Sequence, residues 1–576
     1  MATKPLLQEF PPVSTETWEK AIVKDLKGAD YAKKLIWKTD EGLAVKPYYR
    51  AEDSVGLECQ DAAPGAFPYL RGTQATGNWR IREEIDLANI AEANEAAKTA
   101  VVAGAEEIDF THVAIHNAAD LAALLANLQE IPVHFSHADE SLLRLLIAHK
   151  HPASVSTGFD PLSNLDFAAE VVRTAPALLT PFTLHAEQFE ESGATASEEI
   201  GFILAAGIEY LAALQERKVD INRAAAAVTF SFAIGANYFF QISKLRALRL
   251  TWAQIVESFG GSHEAAKART HARTSRWTET IYDPHVNVLR TTTEAMSAII
   301  GGVNSLTVAP FDESYKQPDD ASRRLARNAQ LVIKKEAYFA HVADPGGGSY
   351  CIEFITDYLA REGWKTMQGI EAAGGFTKSQ GIITAALAKS LAAKDRAVTI
   401  RKRVFTGTNQ FANLNEKALE RIDTSITEKG KRGTQTYEAL RLRTERAAIK
   451  AGCSPRILLA EIGDRKMRTA RSGFAANFFG CAGFNLKIQQ FSSVEEVAAA
   501  EAELIVLCSS DAEYLALATE LLTKLKALGR KTPVIVAGNP ESAEQLTAAG
   551  VAGFVHVRSN PIELLAKLQQ QLGIKD

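Results

Sequence analysis

Residues 456–485, RILLAEIGDRKMRTARSGFAANFFGCAGFN, contain the pattern that decides the C-terminal fold. The stretch begins with a short apolar run, 457–460, which is typical of a buried strand, and Gly463-Asp464 ends that run. A helical segment of small and aromatic residues follows. A strand, a loop and a helix in this order open a doubly wound α/β domain, in which ligands bind at the carboxyl ends of the strands. A cofactor would therefore dock at the loop after Ile462.

The chemistry of this loop argues against a metal centre. It contains neither His nor Cys, the side chains that bind transition metals most readily. It carries four basic residues instead: Arg465, Lys466, Arg468 and Arg471. We therefore predict no metal ligand at this position.

The rest of the C-terminal region repeats the same β-α unit. The predicted strands are 456–462, 486–491, 504–508, 534–537 and 553–557. The helix predicted over 511–528 ends at Gly529, a common helix stop. Five short apolar strands that alternate with helices predict a parallel sheet of flavodoxin type over 454–576.

Upstream, residues 105–400 also alternate strand-like runs with amphipathic helices. The strand candidates are 108–115, 131–137, 154–159, 182–187, 228–233, 268–274, 305–309 and 348–353. One intervening helix, 320–339, has an apolar stripe and a cap at Asp319 or Asp320. Eight strands with interleaved helices predict a (β/α)8 TIM barrel.

These patterns divide the 576 residues into four parts. Residues 1–45 form an N-terminal arm, and its helix at 17–26 has no evident apolar partner of its own. The barrel domain covers 46–400, and a charged helical connector, interpreted as a solvated linker packing against both domains, covers 401–453. Residues 454–576 form the flavodoxin-like domain.

Composition limits the possible partners. The net charge of −5 with mixed signs gives no electrostatic support for a nucleic-acid or membrane role. The five Cys include no C-x-x-C pair, which favours a reduced, cytoplasmic protein. The N-terminus lacks the apolar core of a signal peptide, and polar residues interrupt the most apolar stretch, 224–240, so we interpret that stretch as protein core.

Several stretches resemble one family. They are RTHARTSRW (269–277), NVLRTTTEAMSAIIG (287–301), SRRLARNAQL (322–331), DPGGGSY (344–350) and GTNQFANLNE (407–416). With the order of barrel, connector and flavodoxin-like domain, they resemble the cobalamin-dependent acyl-CoA mutases, methylmalonyl-CoA mutase above all. The resemblance implies an isomerase that interconverts methylmalonyl-CoA and succinyl-CoA with adenosylcobalamin. In several bacteria that enzyme is a heterodimer of one large catalytic chain and one small related chain.

The C-terminal domain departs from the family at the cobalt ligand. The family carries Asp-x-His-x-x-Gly after the first strand, whereas this sequence reads GDRKMRTARSG and places Arg468 near the His position. His556 is too far along the chain to replace it. The family's Gly-Gly and Ser-x-Leu segments become Ala537-Gly538 and 509–511, Ser-Ser-Asp. The resemblance therefore implies a degenerate cobalamin-binding-type domain, and Phe478, Phe479 and Phe484 are expected to close its pocket.

The barrel domain also lacks residues that the family uses for catalysis and substrate binding. Glu187 and Gln188 replace the family's Tyr-His pair, and Gln74 replaces a substrate-facing Tyr in RGTQAT. In the His-x-Gln-Thr-Ser-Gly stretch, Arg273 replaces Gln and Arg276 replaces Gly. A further family segment, Gly-Thr-x-Gln-Asn-Asp, has no counterpart near 156–164. We accordingly predict no catalytic, cofactor-binding or metal-binding residues in this chain.

Other tempting residues have plainer interpretations. His134 and His137, three apart on a strand, should point to opposite faces and share no metal. His271 should serve barrel structure, and 346–348 should form a turn before a strand, not a phosphate loop. A group of three glutamates is expected to form a solvated loop face, and Cys481 to be a buried apolar residue. The glutamates are Glu187, Glu190 and Glu191.

The joint loss of ligand and catalytic groups predicts a non-catalytic small subunit. Its partner would be the large catalytic mutase subunit, which would hold the adenosylcobalamin, and contact would involve the barrel and the N-terminal arm. Two alternatives stay open. One is a cobalamin-independent acyl-CoA enzyme that uses Glu187 or His185, and the other is a regulatory relative of the mutase.

Overall fold

The computed structural model describes residues 12–58, 61–427 and 431–574. Residues 80–307 contain eight parallel strand positions that surround a common axis. The strands are Arg80–Ile85, Glu107–Phe110, Val133–Phe135, Val155–Thr157, Leu179–Thr180 continued by Phe182–His185, Val228–Ile234, Arg269–Thr274 and Ser305–Thr307.

The barrel closes at its fifth strand, which Pro181 divides into two parts. Leu179–Thr180 pairs with the fourth strand, and Phe182–His185 pairs with the sixth. Proline has no backbone N–H to donate to a ladder, so the pairing changes partner at this residue. The last strand pairs with the first, and the predicted (β/α)8 barrel is confirmed.

One predicted strand is wrong and one real strand was missed. The predicted strand 348–353 lies in the helix Tyr350–Ala372, because Gly348, at φ +81°, turns the chain and donates its N–H to Glu353 Oε1 at 2.8 Å. The turn at 346–348 therefore precedes a helix. The missed strand is Arg80–Ile85, whose sequence RIREEI carries four charged side chains and does not look like a barrel strand.

Helices follow the barrel strands; Glu187–Glu191 lies at the mouth, and the others surround the outer side of the barrel. They are Ile90–Val102, Ala118–Leu124, Glu140–His149, Leu165–Thr174, Glu187–Glu191, Ala196–Glu216, Ile221–Ala226, Tyr238–Ser258, His285–Ile300 and Asp320–Leu331. Tyr350–Ala372 packs on Ala196–Glu216 and Tyr238–Ser258, and Gln380–Thr399 follows it. Asp319 caps its helix as predicted, by accepting from the Ser322 N–H at 3.0 Å. Within the described ranges, no helix is both long and apolar enough to cross a lipid bilayer.

The helix Tyr238–Ser258 carries three fully buried cations, Lys244, Arg246 and Arg249. Arg246 donates to Asp344 and, at 2.7 Å, to Glu353. The two carboxylates are 3% and 4% exposed. This buried network joins the DPGGGSY segment to the inner barrel helices.

The N-terminal arm packs on its own chain. Its helix, Thr15–Asp25, has no buried residue, but Trp18 stacks on Tyr48 with ring centroids 5.0 Å apart. Arg50 lies over the Trp18 ring and donates to the Val13 carbonyl at 2.7 Å. Two short helices and strands complete this region: Tyr31–Leu35, Ala51–Ser54, Trp37–Lys38 and Ala44–Val45. Residues 1–11 of the predicted arm lie outside the described residues.

The C-terminal domain has the predicted flavodoxin-type sheet. In order across the sheet, its strands are Asn485–Gln490, Arg456–Glu461, Leu504–Cys508, Val534–Val536 and Gly553–Phe554, all parallel. The strand order 2-1-3-4-5 places a topological switch point between the first and third strands. The helices are Arg465–Gly480, Val494–Ala499, Tyr514–Ala527, Ala543–Ala549 and Pro561–Gln571.

The connector, with helices Thr424–Thr427 and Gln435–Ala451, is fastened to the loop after the seventh barrel strand. Glu438 accepts from the Ile281 N–H at 3.1 Å, and Glu445 accepts from the Tyr282 hydroxyl at 2.8 Å. Trp277 packs edge-on against Phe405, with ring centroids 5.5 Å apart. The expected solvated linker is therefore, on this side, a buried polar contact between connector and barrel.

Candidate functional site

Two places in this fold could hold a ligand: the barrel mouth at the carboxyl ends of the strands, and the switch-point crevice of the C-terminal domain. At the mouth, Arg273 lies between two carboxylates. Its guanidinium donates to Glu84 at 2.8 and 3.1 Å and to Glu313 at 3.1 and 2.5 Å. Arg276 reaches Glu313 at 3.4 Å. Both arginines that depart from the family stretch thus pair within the chain.

The side chains of Arg273, Arg276, Glu84 and Glu313 form the Arg273 cluster, in which opposite charges stabilise one another. Burial alone would raise the pKa of Glu84, but the Arg273 guanidinium outweighs it and lowers that pKa to about 2. Arg273 is 15% exposed and Glu313 13%, so removing one partner would leave a poorly solvated charge. The cluster therefore covers part of the mouth with paired side chains.

The barrel axis beneath the mouth is filled in the same way. Arg82 donates to Glu107 at 3.0 Å, and the two side chains are 4% and 2% exposed. Nearby, the rings of His134 and His271 lie 6.5 Å apart, and their Nδ1 atoms are hydrogen-bonded to Ser156 and Ser305. Burial holds the pKa of both imidazoles well below 6.5, so both are neutral.

His185 and Glu187 form an ion pair at the mouth. His185 Nδ1 lies 2.5 Å from Glu187 Oε1, and Nε2 lies 2.8 Å from the Gly158 carbonyl oxygen, which can only accept. Burial would lower the pKa of His185, but the Glu187 carboxylate raises it to about 9. Both ring nitrogens are therefore protonated and occupied, and His185 cannot serve as a base near neutral pH. Gln188 is exposed beside the pair.

The glutamates after the fifth strand do not all face solvent, so the expected solvated face is wrong for Glu190. This carboxylate is 6% exposed and accepts from the Ser275 hydroxyl at 2.9 and 3.0 Å. Two further buried carboxyls follow the seventh strand. The Glu294 carboxyl accepts from the Thr278 hydroxyl at 2.7 Å. Glu279 is 0% exposed, and neither of its carboxyl oxygens has a hydrogen-bond partner among the described residues.

Glu279→Gln should stabilise the protein at alkaline pH. Burial, reinforced by Glu313, raises the pKa of Glu279 well above its ordinary value. Above about pH 4.3 the unfolded chain ionises this carboxyl while the folded chain keeps it protonated, so stability falls as pH rises. The variant should unfold about 2 °C or more above the parent at pH 8 and at the same temperature near pH 4. Calorimetry at both values checks this, and an equal shift at both would contradict it.

The other predicted residues are scattered. His137 lies beyond the third strand, and its ring lies against that of His112 in a tilted arrangement, with ring centroids 4.7 Å apart, away from His134. Gln74 is exposed in the loop before the first strand. Its neighbour Thr73 accepts from Asn304, at the amino end of the eighth strand. Gln74 is therefore at the opposite end of the barrel from Arg273.

In the crevice of the C-terminal domain, Glu513 occupies the switch point. Its Oε2 accepts from the Asp464 N–H at 3.1 Å, the Ser509 hydroxyl at 2.7 Å and the Ser510 hydroxyl at 2.6 Å. The hydroxyls of Ser510 and Ser509 lower the pKa of Glu513 to about 2. A β-carbon at Gly463 would lie 2.6 Å from this oxygen, so the carboxylate fits closely against the loop.

Basic side chains line the same edge. Arg468 donates to the Gly463 carbonyl at 3.1 Å, and Arg471 donates to Asp511 at 3.0 Å. A β-carbon at Gly538 would lie 3.1 Å from Asp511 and also 3.1 Å from the Tyr514 ring. The polar edge of the crevice is therefore occupied by side chains of this domain.

The three phenylalanines that were expected to close the cofactor pocket lie in the domain core instead. Phe478, Phe479 and Phe484 are at most 1% exposed, and they belong to the core layer that includes residues of Arg465–Gly480 and Pro561–Gln571. Cys481 is confirmed as buried, and burial raises the pKa of its thiol to about 11.

The crevice does not fit a cobalt-bound corrinoid. Arg468 lies near the expected ligand position, but its guanidinium is a cation with no lone pair that could coordinate a metal. His556 is the only histidine of residues 454–576, and it follows the edge strand Gly553–Phe554, where its Nδ1 accepts from the Arg558 N–H. The carboxylate of Glu513 occupies the loop where a ligand would enter.

A closed parallel barrel joined by a connector to a 2-1-3-4-5 sheet defines a two-domain α/β protein. The sequence model of the family described as Methylmalonyl-CoA mutase matches residues 38–123 and 165–454. The chain belongs to the methylmalonyl-CoA mutase family.

Individual relatives refine this assignment. The chain is 38% identical over 621 aligned positions to a methylmalonyl-CoA mutase small subunit of Porphyromonas gingivalis, with 99% of each chain covered. It is 30% identical to the small subunit of Streptomyces virginiae, over 99% of this chain and 98% of that one. The large subunit of the same organism is 29% identical over 76% of this chain and 67% of its own length.

Sequence reasoning missed the partners of the substituted residues. Glu84 lies in the strand that was not predicted, and Glu313 follows the eighth strand. Glu513 immediately precedes the third helix of the C-terminal domain, Tyr514–Ala527. Glu84 and Glu313 accept from Arg273, which is distant in the sequence, and Glu513 accepts from the Asp464 N–H, 49 residues earlier. The one sequence signal was an excess of charge in places expected to be apolar.

Proposed function

We propose that this chain is the non-catalytic small subunit of an adenosylcobalamin-dependent methylmalonyl-CoA mutase. The observation that carries the proposal is the Arg273 cluster at the barrel mouth. A family barrel that bound substrate would need free donors there, whereas here Arg273 and Arg276 are neutralised by Glu84 and Glu313. Charge pairs along the axis, such as Arg82 with Glu107, oppose an acyl-CoA chain in the barrel.

The partner in this proposal is the large catalytic subunit, which would hold the adenosylcobalamin in a cytoplasmic heterodimer. Relatives named small subunit align with nearly the whole chain, and one named large subunit aligns with three quarters of it. When bound, the cofactor supplies the radical that starts the carbon-skeleton rearrangement. This chain's contribution would be structural, since His185 has both ring nitrogens occupied and the crevice offers no imidazole.

Coexpression with a large subunit tests the proposal. Light scattering should give the mass of a one-to-one complex, and the visible absorbance should correspond to about one cobalamin per complex. The chain alone should be colourless and should convert no methylmalonyl-CoA. A coloured or active isolated chain, or failure to form the complex with active large subunit, would refute the proposal.

A further inference from the structure

We infer that Glu513 closes the switch-point crevice of the C-terminal domain and determines that a corrinoid is excluded from it. The inference rests on the proposed function, in which this chain holds no cobalamin. It adds a second barrier to the absence of an imidazole near Arg468. The barrier is an internal carboxylate that occupies the entrance.

The position of the carboxylate supports this role. Asp464 and Ser510 follow the first and third strands, which are neighbours in the sheet, and a ligand of such a domain enters between these two strands. Their backbone N–H groups both point to Glu513 Oε2, at 3.1 and 3.3 Å. A ligand that entered here would have to displace the carboxylate from both.

The carboxylate is held firmly. The Ser509 and Ser510 hydroxyls donate to the same oxygen at 2.7 and 2.6 Å, so four donors converge on one atom. Glu513 also precedes the first turn of Tyr514–Ala527, where the helix dipole favours a negative charge. These four donors lower the pKa of Glu513 to about 2, so the carboxylate is ionised near neutral pH.

The space around the carboxylate is also restricted. Gly463 has φ +81°, and a β-carbon there would approach both Glu513 and Ser509 to 2.6 Å. The loop and the carboxylate are thus in close contact, with no gap for a methyl group. Removing the side chain at 513 would free the loop and its donors together.

The test separates the two barriers in the full chain. Arg468→His supplies an imidazole, Glu513→Ala removes the carboxylate, and a third variant combines them. Glu520→Ala, which removes an exposed glutamate of the same helix, is the matched control when combined with Arg468→His. Aquocobalamin is the probe, and its binding is followed by equilibrium dialysis and by the visible spectral change on imidazole coordination.

The combined Arg468→His and Glu513→Ala variant should bind aquocobalamin at least tenfold more tightly than Arg468→His alone. The Glu520 control should behave like Arg468→His alone. Equal binding with and without Glu513, or no binding by the combined variant, would overturn the inference. Cobalamin binding by the unmodified chain would instead refute the proposed function, so the two failures are distinguishable.

A second readout does not depend on the probe. In Glu513→Ala the Asp464 amide loses its acceptor, so its hydrogen exchange should accelerate at least tenfold. Glu513→Gln keeps the size and an acceptor oxygen and should give a smaller acceleration. Unchanged exchange in a folded Glu513→Ala variant would show that the carboxylate does not hold the loop.

Discussion

Arg246→Ala should lower the free energy of unfolding by about 3–5 kcal/mol, because it removes the fully buried cation of Asp344 and Glu353 and leaves these carboxylates with longer, 3.6 Å contacts to Arg71. Arg246 is 0% exposed and pairs with Asp344 and Glu353. Its Nε also donates to the Thr356 hydroxyl at 3.3 Å. Chemical denaturation followed by fluorescence and circular dichroism measures the loss, and a reduced yield of folded protein at 37 °C would accompany it.

A surface pair provides the comparison. Arg217 donates to Asp166 at 2.7 Å, but the two side chains are 30% and 87% exposed. Arg217→Ala should therefore cost only about 0–1 kcal/mol. If both alanine variants lost the same unfolding free energy, burial would not explain the contribution of Arg246 to stability.

Glu438→Ala should uncouple the connector from the barrel. Glu438 is 2% exposed and accepts from the Ile281 N–H, from Arg432 at 3.0 and 2.9 Å, and from the Thr434 hydroxyl at 2.8 Å. The variant leaves the Arg432 guanidinium, itself 8% exposed, without this partner. We expect a loss of about 3–5 kcal/mol in the unfolding free energy of the barrel–connector unit.

The effect should be visible as a change in cooperativity. Calorimetry of the variant should show two transitions where the parent shows one, and proteolysis within 401–453 should become faster. Glu420→Ala, an exposed change in the same connector, should leave both unchanged. A single transition at the parental temperature in Glu438→Ala would show that Glu438 does not couple the connector to the barrel.

The three inner strands of the C-terminal sheet were predictable because they are buried on both faces and form short apolar runs. The run 504–508, LIVLC, is buried at every position and could be recognised without knowing its neighbours. Arg80–Ile85 was not predictable in the same way. Its Arg82 is neutralised by Glu107, 25 residues further on, and a charge in a barrel interior makes sense only when its partner is known.

The residue replacements at the candidate site can be identified from the sequence. The missing imidazole near Arg468 and the replacements at 273 and 276 follow from the residues themselves. Their surroundings do not, because Arg273 meets Glu84 across 189 residues and Asp464 meets Glu513 across 49. Contacts at such separation depend on how the barrel and sheet close, which no local pattern encodes.

The segments of this chain that resemble the family make structural contacts within the fold. Asp344 of DPGGGSY lies 3.6 Å from Arg71 of RGTQAT and also holds Arg246. Trp277 of RTHARTSRW accepts, through its carbonyl, the Gly433 N–H at 2.8 Å. Under the proposed function, a genome survey that counted such segments would therefore count structural subunits together with catalytic chains, and only the positions between the segments would separate them.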